Sequence, residues 1–316
     1  MSVFALPAEP SLNRGPARFS VRFWGVRGST QVPGPSTLHF GGNTTCIAIQ
    51  CDDELLLIDA GTGLRELGAS RKPDEPFRAT LLFTHFHLDH VAGLPFFAPL
   101  FRRDCALSLV SDPAVGGGAR IALPRLMSAP LFPVDFAALP SQLVFVDAQP
   151  GRPLEVGGAQ VSFAPLHHPG GASGLKIEHR GRTFVHLSDL EHLGPEPDAG
   201  LIEFIRNCDA LSYDAMFDEA IDYAPHEGWG HSTWQAGLAL ARAAGARRFI
   251  ATHHAPEHDD AFLDGMTLRL KAEEPSALVA WEGLELDLLT DRVESHSPPS
   301  NAALALDCAR KADHGE

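Results

Sequence analysis

No run of apolar residues in the 316-residue chain is long enough to cross a bilayer, so no membrane-spanning helix is expected. The stretch Met1–Arg18 lacks an apolar core and carries Pro7, Pro10 and Pro16, so it does not read as a signal peptide. Cysteine is sparse. The five present (Cys46, Cys51, Cys105, Cys208 and Cys308) are odd in number and scattered, with no CxxC pair. That pattern speaks against a disulfide framework or a thiolate zinc site and makes a reducing cytoplasm the default. Basic residues are also in deficit, 25 Lys and Arg against 40 Asp and Glu, for a net charge of −15. Such a surface repels polyanions, and the dispersed basic residues form no cluster that would neutralise the phosphates of a long nucleic acid. A small substrate is favoured, although a bound metal would create a local positive site that the charge count misses.

What the chain has in excess is histidine, 16 residues, several in short stretches beside Asp and Gly. With no repeat at a solenoid period, it divides into an N-terminal extension (1–18), one continuous α/β domain (19–292) and a C-terminal tail (293–316). Strands are expected at Phe19–Trp24, Thr45–Gln50, Leu55–Ile58, Ala79–Phe83, Ala106–Val110 and Leu143–Val146. Two hairpins follow, Leu154–Val156 with Gln160–Phe163 and Leu175–Glu178 with Thr183–Leu187. Later strands fall at Ala210–Tyr213, Arg248–Thr252 and Leu278–Trp281. Helical spacing runs over Leu88–Phe101, interrupted by Pro95, and over Gly118–Met127, broken near Pro124. Further helices are expected at Ala199–Asn207, Thr233–Ala244 and Ala261–Lys271. Strands then helices, twice over, suit an α/β αββα sandwich: two sheets face to face with helices on the outer faces.

The densest chemistry lies in Thr84-His85-Phe86-His87-Leu88-Asp89-His90, directly after a buried strand. Four potential ligands in HxHxDH spacing leave a rigid base and can converge in the loop. Imidazoles with one carboxylate suit Zn²⁺, Mn²⁺ or Fe²⁺ better than Ca²⁺ or Mg²⁺. A polar helix start with chance histidines is the plainer alternative, and four ligand types at this spacing weigh against it.

On this motif the sequence resembles the metallo-β-lactamase superfamily over most of residues 19–292. The resemblance implies two divalent metal ions, Zn²⁺ first, with Mn²⁺ or Fe²⁺ as alternatives. His85 and His87 would serve one metal, Asp89 and His90 the other. In His167-His168-Pro169-Gly170-Gly171, His168 matches the third ligand of the first metal. Asp189 in Leu187-Ser188-Asp189 matches the bridging carboxylate, and His253 in Thr252-His253-His254 the last ligand of the second metal. His167 and His254 are the competing choices; strand alternation would point the loser of each pair away. His186, His192, His226 and His258 have no slot and read as surface or supporting residues. Asp59 in Ile58-Asp59-Ala60-Gly61-Thr62-Gly63 resembles a residue that orients the metal loop through hydrogen bonds.

Two metals about 3.5–4 Å apart, clamping a hydroxide, fit several hydrolyses. The discriminating stretch is Gly228-Trp229-Gly230-His231-Ser232-Thr233. Ser232 with Gln235 is a plausible capping box, which would leave His231 incidental. The same Gly-His-Ser-Thr resembles the phosphodiesterase branch, which includes ribonuclease Z and cyclic-phosphate phosphodiesterases. There such a histidine faces the scissile phosphate and an upstream acid orients it; Asp214 occupies a comparable place, and Asp89 is counted with His231 and Asp214 in the catalytic set. Ribonuclease Z carries a tRNA-gripping arm between the positions of His168 and Asp189, where this chain has room for one hairpin. Phe23-Trp24-Gly25-Val26-Arg27-Gly28-Ser29 and Gly41-Gly42-Asn43-Thr44 resemble a bacterial subgroup near the phosphonate-pathway and cyclic-nucleotide phosphodiesterases. Arg27, Ser29 and Asn43 are candidates to reach substrate, structural turns accounting for them equally. The cysteine-containing structural zinc site of the phosphonate-pathway enzyme has no counterpart here.

The expectation is a cytoplasmic dinuclear hydrolase, a phosphodiesterase acting on a small cyclic phosphate or cyclic nucleotide through a metal-bridged hydroxide. No long nucleic acid and no membrane is expected as partner, and a homodimer is admitted. The alternatives are an ester, lactone or thioester hydrolase, or a catalytically silent metal-binding module. Met127–Pro133, apolar and Pro-rich, is either a lid or a packed surface loop.

Overall fold

Period-two burial sets the first strand. Phe19, Val21 and Phe23 are fully buried on one face, while Arg22 lies over the Trp24 ring on the other. In the computed structural model, which describes residues 17–72 and 74–295, such stretches pair into two sheets. The expected extension and tail fall outside the described residues, apart from 17–18 and 293–295.

The first sheet takes β1 (Phe19–Gly25), β2 (Cys46–Cys51), β3 (Glu54–Ile58), β4 (Phe77–Leu82), β5 (Cys105–Ser111) and β6 (Gln142–Asp147) in sequence order. The second takes β7 (Leu154–Val156), β8 (Ala159–Leu166), β9 (Ala172–His179), β10 (Arg182–Leu187), β11 (Ala210–Asp214), β12 (Phe249–Thr252) and β13 (Leu278–Val279). The chain then returns to the first sheet, where β14 (Leu284–Asp287) pairs antiparallel with β1 and with β15 (Arg292–Ser295). Each sheet is antiparallel at its outer hairpins and parallel through β3–β6 and β10–β13. The parallel strands release their loops at one end, and these loops carry the site.

Between the sheets, Phe19, Phe23, Ile47 and Ile49 meet Phe163, Leu175, Ile177 and Phe184 in one core. On the outer face of the first sheet, α1 (Gly63–Ala69) and α3 (Ala119–Leu126) cover Leu57, Leu81 and Leu107. On the outer face of the second, α4 (Ala199–Ile205), α5 (Trp234–Ala244) and α6 (Asp260–Glu273) cover Leu211, Tyr213 and Phe249. This is the expected αββα sandwich.

Local readings needed correction. Leu88–Phe101 is not one interrupted helix. A single turn, α2 (Leu88–Val91), gives way to 3₁₀ turns at Leu94–Phe96 and Ala98–Phe101, because Pro95 and Pro99 each remove a helical donor. Just before the first 3₁₀ turn, Gly93 lies so close to the Gly61 carbonyl that a Cβ would sit 1.9 Å from its oxygen. Conversely, α3 is not broken at Pro124, which falls in its last turn, where only the bond to Arg120 is forfeited. The cap of α5 is Thr233, whose side chain accepts from Ala236, and not Ser232; Gln235 instead bonds Asp218. The strands β14 and β15 were not foreseen, and β15 runs across residue 293, where the tail was expected to begin.

Candidate metal centre

Loops at the parallel ends of both sheets bring the histidines and carboxylates together. β4 ends at Leu82 and releases His85–His90, while the loop after β8 supplies His168, that after β10 supplies Asp189, and that after β12 supplies His253. One atom each from His85, His87, His168 and Asp189 lies within 4.8 Å of the others, as does one each from Asp89, His90, Asp189 and His253. Asp189 is common to both groups. Its Oδ1 is 3.7 Å from His85 Nε2, 3.6 Å from His168 Nε2 and 3.3 Å from His253 Nε2, and its Oδ2 is 3.1 Å from His90 Nε2. His87 Nδ1 faces His168 Nε2 at 3.0 Å and is the exposed member.

The opposite ring nitrogens are held. Asp59, fully buried, accepts from the Thr84 amide at 2.9 Å and the Thr84 hydroxyl at 2.7 Å, and meets His90 Nδ1 at 2.8 Å. His168 Nδ1 donates to the Gly230 carbonyl at 2.8 Å, and His253 Nδ1 is 3.2 Å from both Thr45 Oγ1 and Ser188 Oγ. With their far nitrogens fixed, the inward Nε2 atoms of His85, His90 and His253 are buried without any hydrogen-bond partner. Unpaired buried polar atoms are costly, and these three, divided between the two groups that share Asp189, fit bound cations. The competing histidines sit elsewhere. His167 is exposed, and His254 turns its Nε2 to the Ala280 carbonyl at 2.9 Å.

The same geometry sets the charge states. Burial pushes the His85 imidazole well below its ordinary range. Burial would lower His90 too, but Asp189, Asp89 and Asp59 overcome it and hold it well above. Burial alone would raise Asp189, yet His253, His90 and His85 keep it well below the carboxylate range.

His231 stands over this cluster, its ring 5.2 Å from those of His168 and His253. Its Nδ1 meets Asp214 Oδ2 at 2.9 Å, and the same Oδ2 accepts the Asp189 amide at 2.9 Å. Asp214 therefore ties the orientation of His231 to the loop that carries Asp189. Burial pulls His231 down, but Asp214, then Asp189 and Asp89, raise it to about 9.

Of the N-terminal candidates, Arg27 does not reach the site. It is fully buried and holds the carbonyls of Gly41, Ala255 and His258. Asn43 is bound to Glu282, while Ser29 donates its amide to Asp89 Oδ2 at 2.8 Å. His186 and His258 are buried supporting residues. Sequence reading missed Glu191, which is buried and accepts from the amides of Gly228 and Gly230 and from the Tyr223 hydroxyl. Gly230 has φ +88°, and a Cβ there would lie 2.6 Å from His168 Nδ1. The Gly-Trp-Gly pattern was the available signal that amides are presented here, but nothing in it pointed to Glu191.

A cleft of about 390 Å³ opens beside His85 and His87, bounded by Phe86, Val115, Arg125, Leu126 and Leu131. A larger cavity of about 730 Å³, lined by His167, Lys176, Phe204 and Leu240, lies on the other side of the segment after Asp189 and contains none of the clustered ligands.

Comparison with known proteins gives this arrangement a context. A family model described as the beta-lactamase superfamily domain matches residues 55–254. Ribonuclease Z of Methanosarcina acetivorans is 24% identical over 270 residues, covering 69% of this chain and 84% of that protein. Among solved structures, a diphosphatase from the PhnP family is similar with a TM-score of 0.64 at 20% identity, covering 85% of this chain and 97% of the other. The short form of human tRNase Z is similar with a TM-score of 0.61 at 20% identity, covering 85% and 99%. At these identities the structural likeness speaks for the fold.

Proposed function

This chain belongs to the beta-lactamase superfamily, and we propose that it is a dinuclear metal-dependent phosphodiesterase acting on a small cyclic phosphate or cyclic nucleotide. The observation that carries the reading is the His231–Asp214 pair, placed directly above the ligand cluster. His85, His87 and His168 would hold one divalent cation, Asp89, His90 and His253 the other, with Asp189 shared. Zn²⁺ is the first expectation, then Mn²⁺ or Fe²⁺. Bound there, the cations would supply Lewis acidity and lower the pKa of a water.

The chain's own residues do the rest. Thr84, Asp59, Thr45 and Ser188 fix the rings of the ligands, so the site needs little rearrangement when loaded. Asp214 accepts from His231 Nδ1 and leaves Nε2 as the nitrogen available to a substrate oxygen. Raised to about 9, His231 carries a proton at neutral pH and can give it to the departing oxygen. Thioester cleavage has less use for such a donor, because a thiolate departs more readily than an alkoxide.

The small-substrate reading is supported by the net charge of −15 and by the short connection from His168 to Asp189, which holds only the β9–β10 hairpin. Cys46, Cys51, Cys105 and Cys208, all buried and unpaired, suit the reducing cytoplasm we assign it. The test is a metal-reconstituted assay across 2′,3′- and 3′,5′-cyclic nucleotides, a ribosyl cyclic phosphate, a thioester and a lactone. Turnover of cyclic phosphodiesters is expected; thioester or lactone turnover alone would sink the reading.

A further inference from the structure

Beside His85 and His87 the cleft runs toward α3, walled by Phe86, Val115 and Leu126 on its sides and by Leu131 at its mouth. Its lining differs in charge from that of the larger cavity, which includes Glu191, Glu196 and Asp198. In a chain of net charge −15, the cleft lining contains no carboxylate. It contains one permanent charge, the guanidinium of Arg125, on the last turn of α3.

Arg125 is exposed, and among the described residues its guanidinium has no hydrogen bond, ion pair or ring partner; only its backbone carbonyl is used, by Ser128. The exposed arginines Arg180, Arg206 and Arg242 and the half-buried Arg102 are bound to carboxylates, whereas Arg125 borders a cleft with none in its lining. With low-dielectric walls on both sides, an unpaired cation has more influence on an anion here than on open surface. Guanidinium also presents a planar fork matched to the oxygens of phosphate.

We infer that this cleft is the subsite for a second anionic group of the substrate, a phosphate carried at its non-reacting end, with Arg125 as the counter-ion that selects it. The inference rests on the phosphodiesterase reading for the reacting end only. The scissile phosphate sits over the histidine cluster, the body of the substrate lies against Phe86 and Leu126, and the pendant phosphate meets Arg125. A cleft of about 390 Å³ is of the size that takes a small ligand of this kind.

The test compares two product-type ligands, adenosine 3′,5′-bisphosphate and adenosine 3′-monophosphate, binding to the metal-loaded protein by calorimetry. The wild-type protein is expected to bind the bisphosphate at least tenfold more tightly. Arg125→Ala should bring the ratio of dissociation constants close to one, and Arg125→Lys should keep part of it. A ratio that is the same in wild type and Arg125→Ala overturns the proposal. Arg125 is exposed and unpartnered, so folding of either variant is readily confirmed by its thermal transition. Hydrolysis of bis(p-nitrophenyl) phosphate, measured in parallel, decides the phosphodiesterase reading separately. If wild type does not cleave that diester, the reading of the reacting end fails, while the calorimetric ratio still decides the subsite.

Discussion

His231→Ala tests the proposed chemistry most directly, because the structure separates two roles the residue could have. Its Nδ1 is committed to Asp214 at 2.9 Å, and that carboxylate is fully buried, so one proton is held on the Asp214 side. Against the pull of burial, Asp214, with Asp189 and Asp89 beyond it, raises His231 to about 9, which favours the protonated ring at pH 7. If it donates that proton to a departing oxygen, its loss should depend on the leaving group. For adenosine 2′,3′-cyclic phosphate, which expels an alkoxide, kcat/KM is expected to fall by about 10²–10⁴. That corresponds to roughly 2.7–5.5 kcal/mol of barrier. For bis(p-nitrophenyl) phosphate, whose phenolate departs without a proton, the loss should be under about tenfold. The pH profile gives a second readout. A protonated donor makes activity fall as pH rises through its pKa, so the basic limb lies at or below about 9, bound cations pulling it downward. Asp214→Asn removes the largest charge that raises His231, and should move that limb to lower pH. Equal losses on both substrates would mean that His231 only stabilises charge; no loss on either would refute the reasoning altogether.

Three further outcomes follow from the same geometry. Asp59→Asn keeps the shape but disrupts the contacts to the Thr84 hydroxyl and His90 Nδ1, and should weaken metal binding about 10–100-fold in a competition with a chelator. Glu191→Ala leaves the buried Gly230 amide and the Gly228 amide without an acceptor, at a cost of about 1–3 kcal/mol per buried group, read from urea denaturation. Glu191→Gln should recover part of that; equal stability of all three proteins would show that the clamp is idle. Burial lowers His186 and His254 to about 3 each, so the unfolded chain binds more protons than the native one between about pH 3 and 6.5. Their contribution is complete above about pH 6.5 and is lost as pH falls, up to ~1.4 kcal/mol per pH unit for each. His186→Gln should flatten the dependence of urea stability on pH by up to that amount, and an unchanged slope would contradict it.

How far the sequence could be read depended on whether the determinant was local. The HxHxDH spacing, the buried run before it and the His-Pro-Gly and Ser-Asp endings are local. With the family resemblance, they led to the same histidines and carboxylates that the two sheets bring together. Alternation at the end of β12 points His253 and His254 to opposite faces but does not choose between them; His254 turns to the Ala280 carbonyl. What escaped notice is set by distant contacts. Arg27 sits in a glycine-rich turn like a ligand-reaching residue, but carbonyls from Gly41 to His258 draw it into the interior. The strand β14 completes a sheet begun far earlier in the chain, and its short pattern is unremarkable until β1 is beside it. Glu191 lies two residues beyond Asp189 and acts on a loop that comes near only through folding.

The backbone itself shows where the fold gives up stability for the site. Ser29, Asp59, Asp189 and His253 have φ of 61°, 58°, 61° and 62°, a region in which residues with a Cβ are strained by about 1–3 kcal/mol. Three of them follow the ends of β3, β10 and β12, where the chain must turn sharply to aim a side chain across the sheet ends. Glycine would accept these angles without strain, but glycine has no carboxylate or imidazole to offer. The strain is instead held by hydrogen bonds: Asp59 donates its amide to the Leu82 carbonyl, and Asp189 donates its own to Asp214. Asp214 thus restrains the strained Asp189 with the same oxygen that meets His231. Loosening that bond would relax the backbone and misplace both groups together. On the proposed roles, metal position and proton donation would be mechanically one feature of this fold, and a variant that separates them would have to rebuild the turn at Asp189, not merely exchange a side chain.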